Sequence, residues 1–342
     1  MSNEPYASPE YNDLVAALNS RLSTGPLGVE ILPDIQSLPI GSHVQIVENT
    51  IGIPKKVLRK AFITAHHIFF RHLDDLQENV EAMLDATSVI LLFDPEHLTA
   101  ANARKRIGLK YRTRSHSEQM QRLSDELWFT EFLLTSRLKR HNKSPTLWSH
   151  RKWMMKNFDI SKVMMTVEEL DENEVRVVIP LSAENHPRNY YAWDYLRWWI
   201  TSRPQRGNIN SLRSGMTSLV EFYQGWCLKH TSDTSGWSFL LWLLMSRSFY
   251  TISGLQLQAE VGKKVLDCAM SMKLKNESLW LFLKGNMSYM QSTTKAGVRL
   301  EYIRALGKLT RTEPEGSKLR QLAEKDLHEI SMYESAEEEY WL

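Results

Sequence analysis

Apolar residues along most of this chain recur at helical rather than strand-like intervals. Around Trp193 the pattern runs through Trp193, Leu196, Arg197 and Ile200, and around Trp237 through Trp237, Leu240, Leu241 and Leu244. Intervals of three and four residues place such side chains on one face of a helix. A tryptophan-centred helix start recurs as SPTLWSHRKWMM at Trp148, NYYAWDYLRWWI at Trp193, SGWSFLLWLLMS at Trp237 and NESLWLFLKGNM at Trp280. The same frame appears upstream in LTAANARKRIGL, where Ala101 stands in the tryptophan position. Successive marks lie 47, 45, 44 and 43 residues apart, and a period that regular over five units signals stacked repeats. Further amphipathic stretches, such as MQRLSDELWFTEFLLTSRLKR and SLVEFYQGWCLKHT, lie between the marks. Each unit is therefore predicted to be an antiparallel helical hairpin. Pro95, Pro187 and the run Asn276, Glu277, Ser278 punctuate helix starts.

Some stretches depart from this pattern. VRVVIPLSAEN at 175–185 is locally strand-like and carries Pro180, which predicts a kinked or shortened helix. Near the N-terminus, YNDLVAALNSRLS and KKVLRKAFITAHHIFFRHL read as helices, but VEILPDIQSLPIGSHVQIVENTIGIP between them does not. Residues 1–77 are thus expected to be a loop-rich cap with two helices. Residues 313–342 are polar and helical, suited to capping the last repeat. The predicted fold class is all-α: a superhelical stack of five helical hairpins over 78–312.

The 342 residues exceed a typical single core, which fits extension by repetition. Lys and Arg total 42 against 40 Asp and Glu, so net charge gives no reason to expect nucleic acid as a partner. The two cysteines, Cys227 and Cys268, can supply neither a disulfide framework nor a Cys-rich zinc site. The N-terminal residues lack the apolar core of a signal peptide, no apolar run approaches a transmembrane length, and neither a myristoylation nor a prenylation signal is expected. A soluble, cytoplasmic chain is the expectation.

GxGxxG, P-loop, GxSxG and HExxH signatures are all missing, so independent catalysis is not expected. His66, His67 and His72 cluster in AHHIFFRH, but His66 and His72 lack the spacing of a ligand pair on one helical face. They are read as surface or core histidines, and no metal site is assigned. Trp148, Trp193, Trp237 and Trp280 are read as packing anchors between hairpins. Arg104 and Arg151 sit three residues after the mark, where a guanidinium can bridge carbonyls and carboxylates of the neighbouring hairpin. Leu196, Leu240 and Leu283 hold that position in the later units. Five residues before the mark stand Lys143 and Arg188, each just ahead of a helix start. Two cations where helix N-termini gather would form a local anion site, unless they are ordinary solvated loop residues.

The repeated W-x-x-R or W-x-x-L starts resemble the alpha-subunit repeat of protein farnesyltransferase and geranylgeranyltransferases, over about residues 80–310. Most specific are N-E-S-x-W-x-x-L-K-G from Asn276 to Gly285, K-S-x-x-x-W-x-H-R from Lys143 to Arg151, and R-N-Y-x-A-W from Arg188 to Trp193. The resemblance implies a crescent that wraps a prenyltransferase beta subunit, an α/α barrel carrying the zinc ion and the isoprenoid diphosphate. No cofactor would then sit on this chain. Lys143 would hold the place of the lysine that approaches the diphosphate, with Pro145 replacing a neighbouring aromatic. Arg188 would lie at the diphosphate edge, and Asn189, Tyr190 and Tyr191 would line the opening toward the partner.

With divergent first and fourth repeats and a cap unlike those of the main farnesyl or Rab-type alpha subunits, the pattern looks more like the alpha-subunit repeat-containing proteins. These are identified as partners of the Rab geranylgeranyltransferase beta subunit in a third geranylgeranyltransferase, which adds a second lipid to a farnesylated SNARE. The implied role is the alpha subunit of a heterodimeric protein prenyltransferase acting on a substrate with a C-terminal cysteine. The alternative from another class is a non-catalytic helical-repeat scaffold.

Overall fold

The computed structural model describes residues 7–20, 28–33, 38, 41–76, 78–158, 172–202, 209–246, 252–288 and 296–340. It is an all-α helical-repeat fold with one small sheet, and the chain divides into two compact units, residues 1–202 and 203–342.

The first unit opens with α1 (Pro9–Asn19), whose N-terminus is capped by the Ser8 hydroxyl accepting from the Tyr11 N–H at 3.3 Å. β1 (Gly28–Leu32), β2 (Gln45–Val47) and β3 (Thr50–Pro54) then form a mixed sheet in the order β1-β3-β2. Val29 pairs with Ile51 in the parallel ladder and Ile46 with Ile51 in the antiparallel one. The expectation of loops between the two cap helices is corrected here, because a parallel pairing of distant segments leaves no local trace. Gly52 marks the close approach: a Cβ there would stand 2.9 Å from Leu32 Cδ1. β3 runs directly into α2 (Lys55–Arg71), which buries Leu58, Ala61, Ala65, Ile68 and Phe69 and packs against α1 and α3.

Helical hairpins follow. α3 (Val80–Phe93) pairs with α4 (Leu98–Tyr111), and α5 (His116–Leu134) leads through the short α6 (Lys139–Asn142) to α7 (Pro145–Asn157). A capping box at Ser115 and Glu118 starts α5. In the third hairpin a π-helical turn (Glu174–Val178) continues into α8 (Ile179–Asn185), with Pro180 in the first turn, and α9 (Tyr190–Ser202) returns. The helix is continuous through Pro180, and the wider π turn comes directly before it, where a proline removes a backbone donor and crowds the preceding turn. The second helices touch in order, α4 on α7 and α7 on α9.

In the second unit α10 (Ile209–Lys229) pairs with α11 (Thr234–Leu244), α12 (Ile252–Ser271) with α13 (Glu277–Ser288), and α14 (Ala296–Thr312) with α15 (Lys318–Tyr340). The last pairing corrects the expected boundary at 312. The tail helix does not lie alone as a cap but completes a further hairpin, with Tyr302 Oη donating to Asp326 at 2.8 Å.

Tryptophans anchor both units. Trp148, Trp193, Trp237 and Trp280 are all buried. The indole N–H donates to the carbonyl six residues earlier in three of them: Trp148 to Asn142, Trp237 to Thr231 and Trp280 to Leu274, at 2.9–3.0 Å. The ring thus fills the space between hairpins while its polar edge satisfies the turn that precedes its own helix.

Candidate functional site

Arg104 and Arg151 form two rungs of the same design. Arg104 Nη1 donates to the Leu84 carbonyl at 3.0 Å and to the Thr87 hydroxyl at 2.9 Å, while Nε and Nη2 grip the Glu126 carboxylate at 2.6 and 3.0 Å. One hairpin later, Arg151 Nη1 donates to the Leu127 carbonyl at 2.7 Å and the Thr130 hydroxyl at 2.8 Å. Its Nε reaches Glu174 at 3.2 Å, and Nη2 completes the fork on the same carboxylate. Both arginines and both carboxylates are buried. Burial opposes charge on these groups, but Arg104, Arg122 and His150 hold the Glu126 carboxyl well below the usual range. Burial likewise opposes the charge on Arg151, yet Glu174 raises its affinity for the proton. His150 donates Nε2 to Glu126 at 2.6 Å, and burial pushes its own pKa down. These groups link α3, α4, α5, α7 and the π turn.

A second cluster lies at the loop edge, where buried asparagines underlie more exposed cations. Asn142, at the end of α6, donates to the Ser182 carbonyl at 3.0 Å. Asn189, just before α9, donates to the Asn142 carbonyl at 3.1 Å and to the Ser182 hydroxyl at 3.0 Å. Asn185 donates to Thr135 O at 2.6 Å, and His186 Nε2 meets Arg137 O at 2.9 Å. Two consecutive interhelical loops are thereby stitched together, and Lys143 sits on the seam. Its Nζ donates to the Pro187 carbonyl at 2.8 Å. Ser144 next to it caps α7, accepting from the Leu147 N–H and donating to Pro95 O, each at 3.1 Å.

Arg188 is exposed and adopts φ of 60°, a left-handed conformation that costs a non-glycine residue about 1 kcal/mol or more. The Lys143 bond to Pro187 and the Asn189 clasp hold that turn from either side. Tyr190 is exposed and Tyr191 half-buried, with ring centroids 4.7 Å apart.

The structure therefore brings Lys143, Arg188, Tyr190 and Tyr191 to one edge but withdraws Asn189 from it. Asn189 is fully buried, which corrects its expected place at an opening. Its amide nitrogen is committed to the clasp. Trp237 and Trp280 belong to the other unit and take no part in this cluster. Sequence reasoning missed Lys139 and His186; the His186 ring lies close enough to both Lys139 and Lys143 for each ammonium to oppose its protonation. The run RLKRHNK at 137–143 was the available signal. Among the described residues no group of three or more His, Cys, Asp or Glu side chains is arranged to hold a metal ion, and no helix is long and apolar enough to cross a membrane.

The family described as the ECM9 middle domain matches residues 147–253. The chain is 26% identical to protein prenyltransferase alpha subunit repeat-containing protein 1 of Danio rerio, an alignment covering 59% of this chain and 47% of that protein. It is 25% identical to the Homo sapiens protein of the same name, over 62% of this chain and 52% of the relative. Protein ECM9 of Saccharomyces cerevisiae is 26% identical over 56% of this chain and 47% of its own length. The chain spans about half the length of the curated relatives it matches.

Proposed function

We propose that this chain is the alpha-type member of a heterodimeric protein prenyltransferase. It would assemble with a beta subunit of the Rab geranylgeranyltransferase type that carries zinc and the isoprenoid diphosphate. The protein substrate would present a C-terminal cysteine, with a farnesylated SNARE as the favoured case. The observation that carries the reading is the seam at Lys143, where the ammonium is held by Pro187 O on rigid repeats whose relatives bear the prenyltransferase alpha-subunit name. A pre-positioned cation acts where negative charge grows, and charge builds on the departing diphosphate toward the transition state. The Pro187 bond fixes the ammonium at the edge before substrate arrives, so little reorganisation accompanies the chemical step. Arg188 lies one residue beyond Pro187 and adds a more diffuse positive field.

The test is co-purification with that beta subunit, followed by single-turnover transfer. Lys143→Ala is expected to leave assembly intact and slow transfer by roughly thirty- to a thousand-fold if water is excluded from the site. Lys143→Arg should recover only part of the rate, because a planar fork does not occupy the point of an ammonium. Arg188→Gly, which suits the left-handed turn, should lose charge without harming the fold and slow transfer less. No assembly would leave the scaffold role; assembly with an unchanged rate in Lys143→Ala would remove that lysine from the mechanism.

A further inference from the structure

We propose that His186 is the proton-accepting member of the anion site at the Lys143 edge, so that a diphosphate group settling there brings one proton with it. The inference rests on the reading that this edge meets the isoprenoid diphosphate. It gives that edge a third basic group and a pH dependence.

The backbone fixes the arrangement. Lys139 and Lys143 lie one helical turn apart, with the Lys143 N–H donating to the Lys139 carbonyl at 3.2 Å, so both side chains leave the same side of α6. Opposite them runs the loop after α8. It is tied to the segment 135–143 by the bonds of Asn185 to Thr135 O, His186 to Arg137 O, Lys143 to Pro187 O and Asn189 to Asn142 O. His186 thus directly precedes the residue whose carbonyl holds the Lys143 ammonium. Its protonation is directed as well. A carbonyl oxygen only accepts, so the Nε2 that meets Arg137 O at 2.9 Å carries the proton of the neutral ring, and a second proton enters at Nδ1.

Charge around the ring has one sign. Burial, then Lys143 and Lys139, hold its pKa below the usual histidine range, and no carboxylate is among the described groups acting on it. The acids of this edge are placed elsewhere. Asp94 accepts from Arg140 at 3.0 Å, Glu96 accepts from Thr146 at 2.6 Å, Glu30 lies 4.0 Å from the Arg137 guanidinium, and Glu184 on α8 is exposed. Lys139, also exposed, forms no ion pair among the described residues. Arg188 adds an exposed cation two residues beyond the ring.

Near pH 7 the ring is therefore mainly neutral, and an anion that offsets Lys139 and Lys143 removes much of the opposition to protonating it. A diphosphate suits this place better than a carboxylate, because its oxygens carry several charges and can meet two ammonium groups and an imidazolium together. Linkage sets the sign. Binding that raises the His186 pKa is itself strengthened as pH falls, by up to about tenfold per pH unit between the free and bound values, and does not depend on this group above both.

The probe is inorganic pyrophosphate added to the full chain, with the His186 imidazole followed by NMR and its resonance assigned by its loss in His186→Gln. The glutamine amide can donate to Arg137 O in place of Nε2, so the melting temperature should be unchanged. Saturating pyrophosphate should raise the His186 midpoint by about 1 pH unit. Between pH 8 and 6 its affinity, read by calorimetry, should rise by up to about tenfold more in wild type than in His186→Gln, a difference from which the probe's own titration cancels. Lys139→Gln should raise the midpoint with no anion present, a shift that a purely structural histidine would not show. A midpoint that pyrophosphate leaves in place, or that sodium chloride of equal ionic strength raises as far, overturns the inference, and so does failure of pyrophosphate to bind. The transferase reading is decided separately, by assembly with the beta subunit and by the rate of Lys143→Ala.

Discussion

Replacing Arg151 by leucine tests the buried rung, because leucine already occupies the matching position in the next three units as Leu196, Leu240 and Leu283. The substitution removes the fork on Glu174 and the donor to the Leu127 carbonyl. Thr130 loses a partner too, but its hydroxyl still donates to the Glu126 carbonyl at 2.9 Å. Glu174 is fully buried, and leaving one member of a buried pair behind costs about 3–5 kcal/mol. The Leu127 carbonyl lies within α5 and keeps the Thr130 hydroxyl at 3.1 Å, so the stranded carboxylate dominates and the expected loss is about 3–5 kcal/mol, a large part of the whole stability of many domains. Arg151→Leu with Glu174→Leu removes the stranded charge and should recover most of that loss, because apolar replacement of a complete buried pair is often neutral or stabilising. Glu131, 3.8 Å from Arg151, keeps its bond from Asn173 at 3.0 Å and is not orphaned. Urea unfolding of the single, double and wild-type chains gives the comparison. A double variant as unstable as the single one would show that the carboxylate is not what the arginine compensates.

Other outcomes follow from the same contacts. Trp280→Phe keeps most of the ring volume but strands Leu274 O, which predicts a loss of about 1–3 kcal/mol; Trp280→Ala should cost roughly 3–5 kcal/mol, and calorimetry that ranks them in the reverse order would refute the anchor role. Burial pushes the His141 pKa down to about 4, whereas the unfolded chain protonates near 6.5. Stability from this group is therefore complete above about pH 6.5 and falls by roughly 3 kcal/mol toward pH 4, because the unfolded state takes up the proton first. His141→Gln, which retains a donor for the Leu92 carbonyl now 2.7 Å away, should flatten that slope; an unchanged slope would assign it to other groups. The purified chain should retain no stoichiometric zinc after dialysis, as measured by plasma emission, and retained metal would refute the division of labour proposed for the two subunits.

The repeat register was legible because a tryptophan is large enough to dominate a helix start and no other residue fills the same space. Where the anchor is small the signal weakens. Ala101 was recognisable only from its flanks, and the final hairpin went unread because the buried residue 43 places after Trp280 is Ala323. The sheet was illegible for a different reason, since the pairing of β1 with β3 joins segments separated by a long connection. Glu126 and Glu174 could have been suspected. Glu126 stands on the stripe formed by Leu123, Leu127 and Thr130, all buried, and a carboxylate in such a stripe requires a cation facing it. Asn189 was misread because a polar residue between Arg188 and Tyr190 looks like loop surface, whereas the clasp turns its amide inward.

The ionic rungs occupy the first two hairpins, and leucine replaces the arginine from the third onward. Net stability does not explain that distribution, because a buried pair and a well-packed leucine are close in free energy. Register does. Hairpins of similar apolar faces can stack one turn out of place at small cost, but a misplaced guanidinium meets no carboxylate, so the wrong stack carries two uncompensated buried charges. The first unit needs that discrimination because Lys143 depends on the end of α8 and the loop after it for its position. The double variant Arg151→Leu, Glu174→Leu should therefore retain its unfolding midpoint yet lose definition at the seam. Hydrogen exchange measures this: amides of residues 142–144 and 185–190 should exchange faster than in wild type, while those around Trp237 and Trp280 keep their protection. Unchanged exchange at the seam would show that the Asn142, Ser182 and Asn189 clasp holds the register unaided, and the rung would then be a packing choice with no bearing on the lysine.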